Sequence, residues 1–123
     1  MNIEKELLKL MRLASNRRCA DCDAELTDHR SLWASVDAGC FVCASCLAVH
    51  RALGMRAKSV NRDAWTEEEV RRMQAMGNGK VNEVLERYVP ASWAKPAPDA
   101  EAPARDLWIR AKHQQHYFML PHY

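Results

Sequence analysis

The sequence predicts an α+β fold, and three observations predict it. Five stretches place apolar residues at helical spacing. Three short strand-like runs cluster between residues 33 and 60. Two Cys-x2-Cys pairs, CADC at Cys19–Cys22 and CASC at Cys43–Cys46, flank the first two of those runs. At 123 residues the chain is expected to form one domain, spanning 1–123. A chain of that size can bury roughly two-thirds of its unfolded surface, so a modest core is available.

The elements follow in order. Residues 1–14 are read as an amphipathic helix with Ile3, Leu7, Leu10, Met11 and Ala14 on one face, ended by Asn16 and the pair Arg17–Arg18. Residues 19–42 are rich in turns. Within them, WASV (33–36) and CFV (40–42) form strands around a turn at Asp37–Gly39. A helix over 44–53 closes at Gly54, and AKSV (57–60) is a third, weaker strand. Thr66 and Glu69 make a capping box that opens a helix ending at Gly77, with Val70, Met73 and Met76 on its buried face. Asn78 is expected to cap the next helix, which buries Val81, Val84, Leu85 and Tyr88 and stops at Pro90. Residues 90–103 hold four prolines and are read as a surface connection. A last helix over 104–117 turns Leu107, Trp108 and Ala111 inward.

Composition narrows the function. Eighteen Lys and Arg against 16 Asp and Glu give a net charge of +2, which argues against a dedicated nucleic-acid binder. A zinc-ribbon nucleic-acid binder would need a basic stripe that is not evident here. No apolar run approaches the roughly 20 residues of a membrane span. The opening MNIEKELLKLMRLAS interleaves acids and bases and is not read as a secretory signal. The expected compartment is therefore reducing and cytoplasmic, and the five cysteines are thiols or metal ligands rather than disulfides.

The spacing C-x2-C-x20-C-x2-C points to a metal. Each Cys-x2-Cys turn brings two thiolates within reach of one ion, and four thiolates make the closed tetrahedral shell of structural zinc. Such a shell has no open position for water, so one structural Zn2+ is expected, without a catalytic role. Spacing alone leaves the second pair open. Cys40 and Cys43 also form a Cys-x2-Cys, 17 residues after Cys22. A knuckle leading into a helix favours Cys43 and Cys46, with Cys40 a small buried thiol. His50 lies one turn beyond Cys46 and is read as a packing residue rather than a ligand.

Zinc does not account for the HRALG that follows. The stretch CADC…WASV…G-C-F-V-C-A-S-C-L-A-V-H-R-A-L-G resembles the ArfGAP domain, the GTPase-activating module for ADP-ribosylation-factor GTPases. Asp63-x-Trp65, MGNGKVN at 76–82 and LWIRAKHQQHYF at 107–118 extend the resemblance, which covers about residues 5–118. It implies a small zinc-finger domain with a short three-stranded sheet surrounded by about five helices. It selects Cys19, Cys22, Cys43 and Cys46 as ligands. It casts Arg51 as an arginine finger offered to a partner's nucleotide site, with Trp33 and Asp63 on the partner-facing surface. The implied partner is an Arf-family small GTPase in its GTP-bound form. Nucleic acid is not expected, and membranes are reached only through the GTPase, at Golgi or vesicle surfaces. Three departures flank this face. The first inter-pair segment is longer than usual, with TDHRSL (27–32) before Trp33; Leu32 stands where the family has Arg; and 55–64 is short. They leave open a non-catalytic zinc-containing interaction module.

Overall fold

In a computed structural model, residues 1–28 and 32–122 are described. Helix α1 (Ile3–Arg12) is capped by Asn2, whose side chain accepts the Lys5 N–H, and buries Leu7 and Leu10. A 3-10 turn, Ala14–Arg17, leads into the first cysteine knuckle. Strands β1 (Trp33–Ser35), β2 (Cys40–Val42) and β3 (Ala57–Ser59) form one antiparallel sheet in the order β2-β1-β3. Ala34 pairs with Phe41 on one side and Lys58 on the other, so β1 is central. Part of the inserted TDHRSL turn, residues 29–31, lies outside the described residues.

The β1–β2 turn depends on Gly39. Its φ is +77°, and a Cβ there would stand 2.7 Å from the Met76 Cβ. Only glycine permits both the left-handed backbone and that approach. The Gly39 carbonyl also accepts the Gly77 N–H at 2.9 Å, joining the turn to the start of a later helix.

Helix α2 (Ala44–Ala52) runs directly from β2 and ends near Gly54, at φ +84°. Helix α3 (Glu67–Ala75) begins with the expected Thr66–Glu69 capping box. Glu69 also takes Lys58 Nζ at 2.6 Å, which ties β3 to α3. Helix α4 (Asn78–Leu85) follows, and α5 (Ala102–Ile109) continues into a wider π turn over Arg110–Gln114. The fold class therefore stands as the sequence predicts: among the described residues, five α-helices surround a three-stranded sheet. The core joins Leu7 and Leu10 to Phe41, Val42, Leu47, Val70, Met73, Val81, Trp108, Ile109 and Phe118.

Several side chains face otherwise than expected. Leu107 is 60% exposed, because Trp108 and Ile109 take the inward stripe of α5. Val84, Tyr88 and Met76 are exposed as well. Leu107 and Val84 sit one step round from the buried stripe of their helices, whereas Met76 and Tyr88 lie beyond the ends of α3 and α4, the latter stopping at Leu85 rather than running to Pro90. Asn78 is the first residue of α4 rather than its cap; Gly77 holds that position. The Asn78 side chain instead accepts the Phe41 N–H at 2.7 Å and donates to the Arg18 and Phe41 carbonyls. It joins the knuckle, β2 and α4. The stretch 90–101 forms no helix or strand, yet Trp93 packs edge-on against Phe118, with ring centroids 5.2 Å apart.

Candidate functional site

The first cysteine pair is shaped by its own backbone. Cys19 N–H reaches the Ala24 carbonyl at 2.7 Å, and Asp23 N–H returns to Cys19 at 3.0 Å. Asp23 takes φ +61° to close the loop. The second pair sits where β2 becomes α2. Cys43 precedes the first helical residue and Cys46 lies in the first turn, where the positive end of the helix dipole favours thiolates. The Sγ atoms of Cys19, Cys22, Cys43 and Cys46 lie within 4.8 Å of one another, and Cys22 and Cys43 approach to 3.6 Å.

Sulfurs this crowded compete for protons. The bond from Cys22 leads in raising the Cys19 pKa. The bond to Cys19 leads in lowering Cys22, to about 6, and in lowering Cys43 as well. Cys46 is raised, its bond to Cys19 outweighed by those to Cys22 and Cys43. Four thiolates can coexist here only around a cation, and the donor set suits a soft or borderline divalent ion in a closed tetrahedron. These four residues are placed to hold a metal ion. Cys40 belongs to a different group, with His50 and His113, and burial raises its pKa.

Between the first two cysteines lies Asp21, fully buried. One carboxylate oxygen meets His50 Nε2 at 2.6 Å; the other meets Lys112 Nζ and His113 Nε2, each at 2.8 Å. The other ring nitrogen of His50 bonds Ser35 Oγ at 2.8 Å. Lys112 also reaches the Ala20 carbonyl, Asn82 and Glu86. Burial opposes the charge on Asp21, but Lys112, His113 and His50 together outweigh it and hold the carboxyl well below its usual range. Burial likewise opposes the Lys112 charge, and Asp21 and Glu86 outweigh it and raise its pKa. The knuckle is thus bolted to α2, to α4 and to the C-terminal π turn. Sequence reading placed His50 as a packing residue but did not single out Asp21, Lys112 or His113. The available signal was an acid inside CADC, a site that secondary structure alone does not explain.

Arg51 follows His50 on α2, with its neighbour anchored and its own side chain exposed. Its guanidinium carbon lies 5.3 Å from the Trp33 ring centroid. Trp33 is half-buried at the start of the central strand. Arg51 and Trp33 therefore meet, while Asp63 serves its own loop: its carboxylate accepts the Ser59 N–H at 2.6 Å. Asp63 is exposed and lines a groove with α1 residues such as Leu8 and Arg12.

Comparison with known proteins gives this arrangement a family. Residues 4–122 match the ArfGap family model, described as GTPase activating protein for Arf. The chain is 37% identical over 122 residues to the ADP-ribosylation factor GTPase-activating protein AGD12 of Arabidopsis thaliana, covering 96% of this chain and 35% of that protein. It is 39% identical over 112 residues to human stromal membrane-associated protein 1, covering 89% of this chain and 22% of that one. The chain thus spans about a third or less of these curated relatives. The solution structure of the ArfGap domain of human RIP superimposes with a TM-score of 0.82 at 22% identity, covering 98% of this chain and 89% of that one, which shows the same fold. With the family model running through nearly the whole chain, across both cysteine pairs and Arg51, this protein belongs to the ArfGap family.

Proposed function

We propose that this domain activates GTP hydrolysis by an Arf-family small GTPase in its GTP-bound form, with Arg51 as the arginine finger. The carrying observation is the placement of Arg51. It is an exposed guanidinium on a helix whose start bears two of the clustered cysteines and whose last turn is tied down through His50 and Asp21. The backbone at Arg51 is thereby fixed while the side chain is free to swing from the Trp33 ring to a partner.

The chemistry requires arginine. In phosphoryl transfer, charge gathers on the equatorial oxygens of the transferring group, and a planar, permanently charged fork of donors stabilises it. Arginine fingers elsewhere supply about 10³–10⁵ in rate, roughly 4–7 kcal/mol. The GTPase supplies the nucleotide pocket and Mg2+. This chain contributes position and charge. Trp33 holds the resting guanidinium against its ring, and Trp33 and Asp63 form part of the partner-facing surface.

We assign the ion of the four-cysteine site as a single structural Zn2+, held by Cys19, Cys22, Cys43 and Cys46. When bound, it supplies cross-linking of the two knuckles and no catalytic water, because four thiolates fill its shell. The chain is proposed to act as one domain over 1–123, in the cytoplasm, at Golgi or vesicle membranes only through its GTPase. Consistent with this, no helix among the described residues is long and apolar enough to cross a membrane.

The deciding measurement is single-turnover GTP hydrolysis by a panel of Arf-family proteins, with and without this chain at saturation. Acceleration of at least one member by about 1,000-fold or more, the lower end of what a finger supplies, supports the proposal. Tight binding with no acceleration would replace it with the non-catalytic interaction module.

A further inference from the structure

One buried cation touches the cysteine cluster. Arg105 lies in α5, far along the chain from the knuckles, and only 5% of it is exposed. Its Nη1 donates to Cys46 Sγ at 3.2 Å. Its Nη2 donates to the Pro98 and Ala100 carbonyls at 3.0 and 3.1 Å. The guanidinium is therefore aimed by backbone that belongs to the 90–101 connection, and its other terminal nitrogen faces a sulfur.

We infer that Arg105 is a positioning residue of the metal centre, which offsets its negative charge and retains the ion through the bond to Cys46. The inference rests on the zinc assignment above. Four thiolates around a divalent ion carry excess negative charge in a buried place, and a buried charge is costly unless compensated. A charge-assisted N–H···S bond removes electron density from the thiolate and makes it harder to protonate, which is the first step of ligand loss. Arginine suits the place because one planar group reaches the sulfur with one nitrogen and two carbonyls with the other. The same bond carries a mechanical consequence: α5 is fastened to the first turn of α2, the helix that bears Arg51.

The test compares Arg105→Gln, Arg105→Lys and Ile109→Val with wild type, each purified with zinc. Ile109 is buried on the same helix and is not among the sulfur's bonded partners, so it reports a purely structural loss. Zinc release is followed with a chromogenic chelator, and the cobalt-substituted forms report the thiolate-to-metal charge-transfer band. Arg105→Gln should release zinc about 10- to 100-fold faster and shift the band; Arg105→Lys should fall between. Ile109→Val should lower the melting temperature and move neither readout. Wild-type release rate and an unshifted band in Arg105→Gln overturn the inference. If Arg105→Gln does not fold, Arg105→Lys decides on the same two readouts. A wild-type chain that binds neither zinc nor cobalt removes the metal assignment itself, whereas a metal-binding wild type with indifferent Arg105 variants removes only this inference.

Discussion

The guanidinium of Arg51 rests over the indole of Trp33, 5.3 Å from the ring centroid, joining the end of α2 to the start of the central strand. A cation over an aromatic face at a partly exposed site is worth about 0.5–1 kcal/mol. That is enough to bias the side chain's position and small enough to be exchanged for a partner's phosphates. Under the proposed function, this pair is the resting position of the finger.

Removing the ring should blunt the finger without unfolding the domain. Trp33→Ala is expected to cut GTPase activation by at least about tenfold, equivalent to roughly 1.4 kcal/mol, with the zinc content unchanged. Trp33→Phe, which keeps an aromatic face, should recover much of the activity. Loss of cooperative thermal unfolding in Trp33→Ala would show that the half-buried ring is needed by the sheet instead.

Arg51→Lys preserves charge and loses the planar fork. Most of the acceleration at saturating protein should disappear, while affinity for the GTP-loaded partner changes little, because a finger acts in the transition state. An exposed helix residue contributes little to stability, so the unfolding free energy should change by no more than about 0.5 kcal/mol. Equal hydrolysis rates for wild type and variant would take Arg51 out of the reaction.

The cysteines divide into four and one. Cys22→Ser should lose zinc and unfold, since removing one thiolate opens the shell. Cys40→Ser should keep zinc and fold, because Cys40 lies with His50 and His113 outside the four-sulfur group. Metal analysis with circular dichroism on both variants checks this. Zinc loss from Cys40→Ser with retention in Cys46→Ser would reverse the ligand assignment.

Acid should weaken the domain through His113. Burial lowers its pKa, although Asp21 pulls the other way. The other groups facing it are His50, with ring centroids 4.5 Å away, the Cys40 thiol, and the Lys112 ammonium on the shared Asp21 carboxylate. The unfolded chain takes up this proton near pH 6.5, while the fold resists. The contribution is therefore full above about pH 6.5 and is lost as pH falls below it, by up to about 1.4 kcal/mol per pH unit. Melting temperatures between pH 7.5 and 5.5, at constant zinc content, should fall in wild type and fall less steeply in His113→Gln. Parallel curves would exclude His113 as the titrating group.

Much of the fold was legible because its signals are local. The Thr66–Glu69 box, the glycine at 54 and the Asp37–Gly39 turn between WASV and CFV each act within a few residues, so these elements appear where the sequence puts them. Cysteine spacing likewise announces a shared ligand before any coordinates exist. Helical periodicity, by contrast, specifies a stripe without its width. Leu107 and Val84 satisfy the period and still face water, because only packing against a particular neighbour chooses which side of the stripe is covered.

The tertiary structure alone decided what surrounds the cysteines. Asp21 and Lys112 are 91 residues apart, and Arg105 and Cys46 are 59 apart. No local rule couples such pairs. Each is a charge that secondary structure would leave in water, and it becomes affordable in the interior only when folding delivers the opposite charge to the same place. The sequence by itself determined the elements, the paired cysteines and the arginine that follows them; the three-dimensional packing determined which buried charges meet, because desolvation makes their partners obligatory while chain position does not.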